Sequence, residues 1–256
     1  MAAILFSACS KEELPVEKGQ NPDGTFTFNL ALDVPDDEQA AGAVAKASTR
    51  APVRMARYLL EMCEGGVTVT PVKMSNNTGI FNVTMKKGVD YVFLFWADGG
   101  VGDYTATNLQ AVTQTTPTNA GKPAYYAKVE ANTTTFNGTV TLKRAVAAVQ
   151  YVETTGFSST GNTLTVKYPI GGAAFNVANG TVANFGTGAD ITRSFSAIAA
   201  TAKDGTVATD YLFAPAATKT VMNGIKFQFN SLGEKTLTAI PLQANFTTKI
   251  KGNYSN

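Results

Sequence analysis

The sequence predicts an all-β chain divided into two β-sandwich domains in tandem. Three observations carry this. The apolar runs are too short for helices of ordinary length and are bounded by clusters of Gly, Asn and Thr. Several of them alternate apolar and polar residues, the signature of a strand with one buried face. At 256 residues the chain has room for two sandwiches of ordinary size, and a charged content of only 16% suits an all-β surface. The expected partition is 1–24 as leader and tether, 25–155 as the first domain and 156–256 as the second.

Met1 to Ala8 is a short apolar run ending in small residues before Cys9. This is the layout of a bacterial lipobox, in which a signal peptidase cuts before the cysteine and the thiol carries a lipid. Ser10-Lys11-Glu12-Glu13 looks like the signal that sends Bacteroidetes lipoproteins to the outer face of the outer membrane. Leu14 to Gly24, with Pro15, Gly19, Pro22 and Gly24, reads as a flexible tether.

Thr25 to Val34 alternates cleanly. Phe26, Phe28, Leu30, Leu32 and Val34 lie on one face, while Thr25, Thr27, Asn29 and Asp33 lie on the other. Pro35-Asp36-Asp37-Glu38 ends this first strand. Gln39 to Pro52 is an Ala-rich connector, a short helix or a mobile loop, followed by Arg54 and Arg57. Tyr58 to Cys63 is a strand, Gly65-Gly66 its turn and Val67 to Val72 its expected hairpin partner. Cys63 is expected as an inert core residue rather than a reactive thiol, and with Cys9 acylated no disulfide framework exists.

Gly79 to Lys86 is expected to pair with the next strand through a turn at Lys87-Gly88, with Phe81, Val83 and Met85 facing inward. That next strand, Tyr91 to Ala97, is apolar or aromatic at every position. Its two faces, Tyr91, Phe93 and Phe95 against Val92, Leu94 and Trp96, must both be covered. One of those covers is expected to be Phe26, Phe28, Leu30 and Leu32 of the first strand. Gly99 to Pro123 is a long polar loop with a short helical turn around Thr107 to Val112, and is the candidate contact surface.

Tyr125 to Glu130, Thr134 to Leu142 and Ala145 to Val152 are expected to continue the first sheet. Beyond Gly156 the strands shorten: Thr163 to Tyr168, Ala174 to Val177, Arg193 to Ile198, Tyr211 to Ala214, Ile225 to Phe229, Leu237 to Leu242 and Phe246 to Lys251. The Asn-X-Thr triplets follow from the abundance of Asn and Thr, and no glycan is assigned to them.

Composition narrows the function. The chain contains no histidine, which removes Ser-His-Asp and Cys-His catalysis, His-ligated zinc and a histidine pH switch. Its net charge is +2 with the basic residues scattered, so neither a nucleic-acid footprint nor a polybasic membrane patch is present.

Taken in order, the lipobox at Cys9, Arg57-Tyr58-Leu59-Leu60-Glu61, Phe93-Leu94-Phe95-Trp96-Ala97-Asp98, Leu142-Lys143-Arg144-Ala145-Val146-Ala147 and Pro241-Leu242-Gln243-Ala244-Asn245-Phe246-Thr247-Thr248-Lys249-Ile250 resemble the fimbrillins of Bacteroidetes, the subunits and anchors of type V pili. The resemblance implies two transthyretin-like β-sandwich domains and export as a lipidated precursor. It also implies maturation by a surface protease that cuts after an arginine in the connector. Arg50, before Ala51, sits where that cut would fall, and the strand carrying Phe26, Phe28, Leu30 and Leu32 would be removed. A neighbour's strand would then fill the vacated groove, so the implied partners are other pilus subunits, with the outer membrane held through the lipid on Cys9. After Lys251 the chain runs only to Asn256, without a long segment to donate, which keeps an anchor or accessory role beside that of a stalk subunit.

The alternative from another class is a surface glycan-binding lipoprotein. Trp96 reads as core, leaving Tyr104, Tyr125 and Tyr126 as the aromatics available to stack on sugars. An enzyme is not expected. Asp98 and Asp103 bracket Gly99-Gly100-Val101-Gly102 as a carboxylate pair would, but loop-capping turns explain them more simply, and a calcium site there lacks ligands. No cofactor and no metal is expected.

Overall fold

The computed structural model describes residues 24–33, 54–66 and 71–254. Among these residues every regular element is a strand. They are β1 (Thr25–Asp33), β2 (Arg57–Glu64), β3 (Val72–Asn76), β4 (Ile80–Thr84), β5 (Tyr91–Asp98), β6 (Tyr104–Thr105), β7 (Val112–Gln114), β8 (Tyr125–Ala131), β9 (Thr139–Arg144) and β10 (Val146–Glu153). Then follow β11 (Asn162–Pro169), β12 (Ala174–Asn176), β13 (Thr181–Ala183), β14 (Asp190–Ile198), β15 (Thr206–Phe213), β16 (Thr220–Met222), β17 (Ile225–Phe229), β18 (Lys235–Leu237), β19 (Ile240–Leu242) and β20 (Thr247–Gly252).

The first sheet has the order β3-β2-β5-β8-β9-β1-β4. β8 and β9 pair only at Tyr125–Arg144 and Tyr126–Lys143, so the sheet opens beyond that corner and folds over on itself. The two layers enclose one core. Tyr91, Phe93 and Phe95 of β5, with Tyr58 and Leu60 of β2, meet Phe28 of β1, Phe81 and Val83 of β4, and Val140 and Leu142 of β9. The other face of β5 is covered as its sequence requires: Leu94 and Trp96 pack with Tyr104, Val112, Phe175 and Phe213.

A second two-layer sandwich follows. Sheet β15-β10-β20 faces sheet β14-β11-β17-β18 across Val149, Tyr151, Leu164, Val166, Leu212, Ile225 and Phe229. The hydroxyls of Tyr151 and Tyr168 meet at 2.7 Å between the layers. A four-stranded sheet, β13-β12-β7-β6, joins the halves, and β16 pairs with β19. Arg193 fastens the same junction from within. Its guanidinium donates to Asp210 Oδ1 at 2.5 Å, to Gln114 Oε1 at 2.6 Å and to the Pro117 carbonyl at 3.1 Å.

Several sequence expectations change. β4 pairs with β1 and not with β5, because the Met85–Asp90 link carries the chain from one layer to the other. The turn at Lys87-Gly88 survives with Gly88 at φ 77°, and the Lys86 N–H donates to the Tyr91 hydroxyl at 2.9 Å across that link. The hairpin partner of β2 is Val72–Asn76, displaced from the expected segment, of which 67–70 lie outside the described residues. β9 begins only at Thr139, since Asn132 and Asn137 each build a side-chain turn before it.

β10 does not continue the first sheet: it pairs with β15 and β20, because at Ala145 the backbone crosses to the second sandwich. The helical turn expected at Thr107 to Val112 is a single turn closed from Ala111 N–H to the Asn108 carbonyl. The loop around it contributes β6 and β7 to the joining sheet.

Candidate functional site

The alternation of β1 sets its role in the fold. Thr27, Asn29, Ala31 and Asp33 are exposed, Phe28 is fully buried, and Phe26, Leu30 and Leu32 are half-buried against the same core. The strand lies between two neighbours in a staggered arrangement. Its first half, Thr25 to Asn29, runs antiparallel to β4 with Phe26 opposite Val83 and Phe28 opposite Phe81. Its second half, Asn29 to Asp33, runs parallel to β9 with Leu30 beside Val140 and Leu32 beside Leu142. The Leu30 N–H donates to the Gly79 carbonyl at 3.0 Å, the Asn29 N–H to the Gly138 carbonyl at 2.6 Å, and the Met85 N–H to the Gly24 carbonyl at 3.1 Å.

Beneath β1 lies an aromatic floor. The Phe28 ring sits 4.7 Å from Phe93 and 5.0 Å from Phe95, both in edge-to-face geometry. Phe93 and Phe95 stack at 6.5 Å, and Phe81 tilts against Phe95 at 6.5 Å. In the same core, Phe136 of the β8–β9 connection reaches both Phe26, at 4.8 Å, and Phe28, at 4.7 Å. Taking β1 out would uncover this floor between the unpaired backbone groups of β4 and β9. Burying Phe28 alone is worth about 1.5–3 kcal/mol, so the empty groove would be costly until another strand filled it.

Cys9, Arg50 and Ala51 lie outside the described residues. Arg54 is exposed just before β2, whereas Arg57 is spent inside the fold. The Arg57 guanidinium grips the Asp98 carboxylate with Nε at 2.8 Å and Nη2 closer still, and Nη2 also donates to the Tyr104 carbonyl at 2.8 Å. Asp98 is fully buried. Besides the expected turn bond from the Gly100 N–H at 2.8 Å, it accepts the Trp96 indole N–H at 2.7 Å. The reading of Asp98 as a turn residue alone therefore missed a buried ion pair. Its four bonds occupy the carboxylate.

Tyr104 and Tyr125 are core residues, not exposed stacking platforms; only Tyr126 remains half-buried, its ring against Phe175 at 4.8 Å. Burial pushes the Tyr104 and Tyr126 phenols up. Cys63 is fully buried, and that burial, with the Glu61 charge second, raises its thiol. Among the described residues no group of three or more His, Cys, Asp or Glu side chains converges as a metal ion would require.

Sequence reasoning overlooked Phe136 and Arg144. Phe136 carried a usable signal, since it shares the even-numbered apolar face of Val140 and Leu142 and stands just before the Asn137-Gly138 turn. Arg144 is buried where two of the quoted motifs meet. It donates to the carbonyls of Val146 at 3.0 Å and Phe246 at 2.8 Å, while its N–H donates to the Asn245 side chain at 3.2 Å.

Residues 19–254 match a family of unknown function, DUF6562. The chain belongs to that family. Among curated proteins, none matches it. This chain can nonetheless be set beside solved structures through its fold. A candidate adhesin from Bacteroides ovatus is similar at a TM-score of 0.50 and 14% identity, over 84% of this chain and 76% of the other. A candidate adhesin from Bacteroides thetaiotaomicron is similar at a TM-score of 0.50 and 11% identity, over 91% of this chain and 94% of the other. At these identities the likeness is one of fold.

Proposed function

We propose that this chain is a surface-exported lipoprotein that serves as a structural, anchor or accessory subunit of a fimbria and assembles by β-strand addition. In this reading the fold is two transthyretin-like sandwiches in tandem. Cys9 carries the lipid that holds the chain to the outer membrane, an arginine-specific cut between Arg50 and Ala51 frees β1, and a related subunit supplies the replacement strand. The chain is a scaffold and not an enzyme.

The observation that supports this best is the seating of β1. It fills an apolar groove between β4 and β9 with alternate side chains, the way an added strand is recognised. The fold shared with two candidate adhesins is consistent with a cell-surface role. The burial of Tyr104 and Tyr125 leaves glycan binding with Tyr126 alone of its three candidate aromatics.

Limiting trypsin tests the proposal directly, because no Lys or Arg falls between Lys18 and Lys46 and the strand itself is spared. N-terminal sequencing is expected to give a new terminus at Ala51, and electron microscopy to show filaments or ladders. A nicked chain that stays monomeric overturns the stalk role and leaves an anchor or accessory subunit.

A further inference from the structure

The β8–β9 connection is built as a clamp over one position of β1. Asn132 ties it down: its Oδ1 accepts the N–H groups of Thr134 at 3.0 Å and Thr135 at 3.1 Å, and its Nδ2 donates to Asp90 Oδ1 at 2.8 Å. Asn137 fixes the far end by accepting the Thr139 N–H at 3.1 Å. Between them Gly138 approaches so closely that a Cβ there would stand 2.5 Å from the Thr27 carbonyl, and its own carbonyl receives the Asn29 N–H. Phe136 is thereby held against Phe28, whose ring meets Phe93, Phe95 and Phe136 at interplanar angles of 62–71°.

We infer that the position of Phe28 is an aromatic-selective subsite closed by Phe136, so that the groove accepts an extended strand from another chain only when an aromatic ring stands there with apolar residues two positions to either side. The inference rests on the strand-exchange reading for the existence of an incoming strand, and adds which strand is taken. Edge-to-face contacts reward a ring beyond the area it buries, and an aliphatic side chain of similar bulk forgoes them at all three neighbours. The clamp acts on the same ring, so its contribution is coupled to the residue it covers.

The test uses the full chain nicked by trypsin in the connector and labelled peptides of residues 24–33, carrying Phe, Leu or Ala at position 28. Fluorescence anisotropy is expected to rank Phe above Leu by roughly tenfold and above Ala by several hundredfold or more. Phe136→Leu in the protein is expected to weaken the Phe peptide markedly and the Leu peptide little. Phe and Leu peptides that bind within about twofold of each other overturn the subsite while leaving strand exchange standing. Absence of binding by every peptide overturns the exchange reading and the subsite with it.

A second measurement needs no exchange. In the intact chain, Phe136→Leu is expected to speed hydrogen exchange of the β1 amides roughly tenfold while leaving those of β11 and β17 unchanged. Unchanged protection of β1 overturns the clamp.

Discussion

Phe28→Ala is the most informative single perturbation of the first sandwich. The side chain is fully buried and touches three rings, so its loss removes transfer energy, leaves a cavity under β1 and forfeits the edge-to-face contacts. Large aromatic truncations of this kind cost about 3–5 kcal/mol. The single tryptophan, Trp96, lies on β5 beside the affected floor and reports unfolding of this half by fluorescence. With a urea dependence on the order of 2 kcal/mol per molar, the midpoint should fall by about 2 M. Leu32→Ala is the internal control. Leu32 is only half-buried at the β9 end of the strand, and its truncation should move the midpoint by well under half as much. A Phe28→Ala midpoint within about 0.5 M of the parent, or equal to that of Leu32→Ala, would refute the view that β1 is anchored through Phe28.

Other consequences follow from the buried charges and the lone core thiol. Arg57→Ala leaves Asp98 buried without its cation and should destabilise the first sandwich by about 3–5 kcal/mol, read by the same Trp96 transition. Arg193→Ala should cost a similar amount in the joining region, where Asp210 loses its partner, and should raise proteolysis of the 115–123 loop. Burial acts to raise the Glu153 carboxyl, but hydrogen bonds from the Thr155 N–H and hydroxyl and from the Tyr254 N–H outweigh it and hold it below its ordinary value. A depressed carboxylate contributes stability that is present above its unfolded value and is lost as pH falls through the lowered folded value. Thermal stability of the second sandwich should therefore drop at acid pH below the ordinary glutamate range, and Glu153→Gln should flatten that drop. In a chain with Cys9 changed to Ser, Cys63 should react with a thiol reagent only as fast as the first sandwich opens, since its thiol is buried and raised.

Much of the local structure was legible because side-chain period is a local property. The strict alternation of Thr25 to Val34 identified the buried face of β1, and the unbroken apolar run at Tyr91 to Ala97 required cover on both sides, as found in two separate cores. Pairing was less legible. An inward face at Phe81, Val83 and Met85 fits the layer opposite β5 as well as a hairpin beside it, and only the three-dimensional crossing at 85–90 decides between them. For the same reason Ala145 to Val152 read as more of the first sheet, although the partners of β10 lie far along the chain in β15 and β20.

The groove itself was half legible: the four side chains that enter it follow from period, but the clamp does not. Phe136 shares the apolar period of Val140 and Leu142, but the turn knotted by Asn132 that brings its ring against Phe28 follows from no such period. Tyr104 and Tyr125 misled because a phenol suits a wet surface and a core with one acceptor equally well; the Tyr104 hydroxyl finds the Lys122 carbonyl at 2.5 Å.

The central claim is that β1 must leave its groove for subunits to join, and a reversible lock on that strand tests it most directly. Thr27 and Asn82 stand opposite each other on β1 and β4, their side chains joined at 2.8 Å. The bonds at Gly24–Met85 and Gly79–Leu30 place them in a non-hydrogen-bonded pair, where side chains come closest. With Thr27→Cys and Asn82→Cys in a chain lacking Cys9, trypsin should nick the oxidised protein without producing filaments by electron microscopy, and reductant should then release them. Filaments from the oxidised, nicked chain would contradict the account.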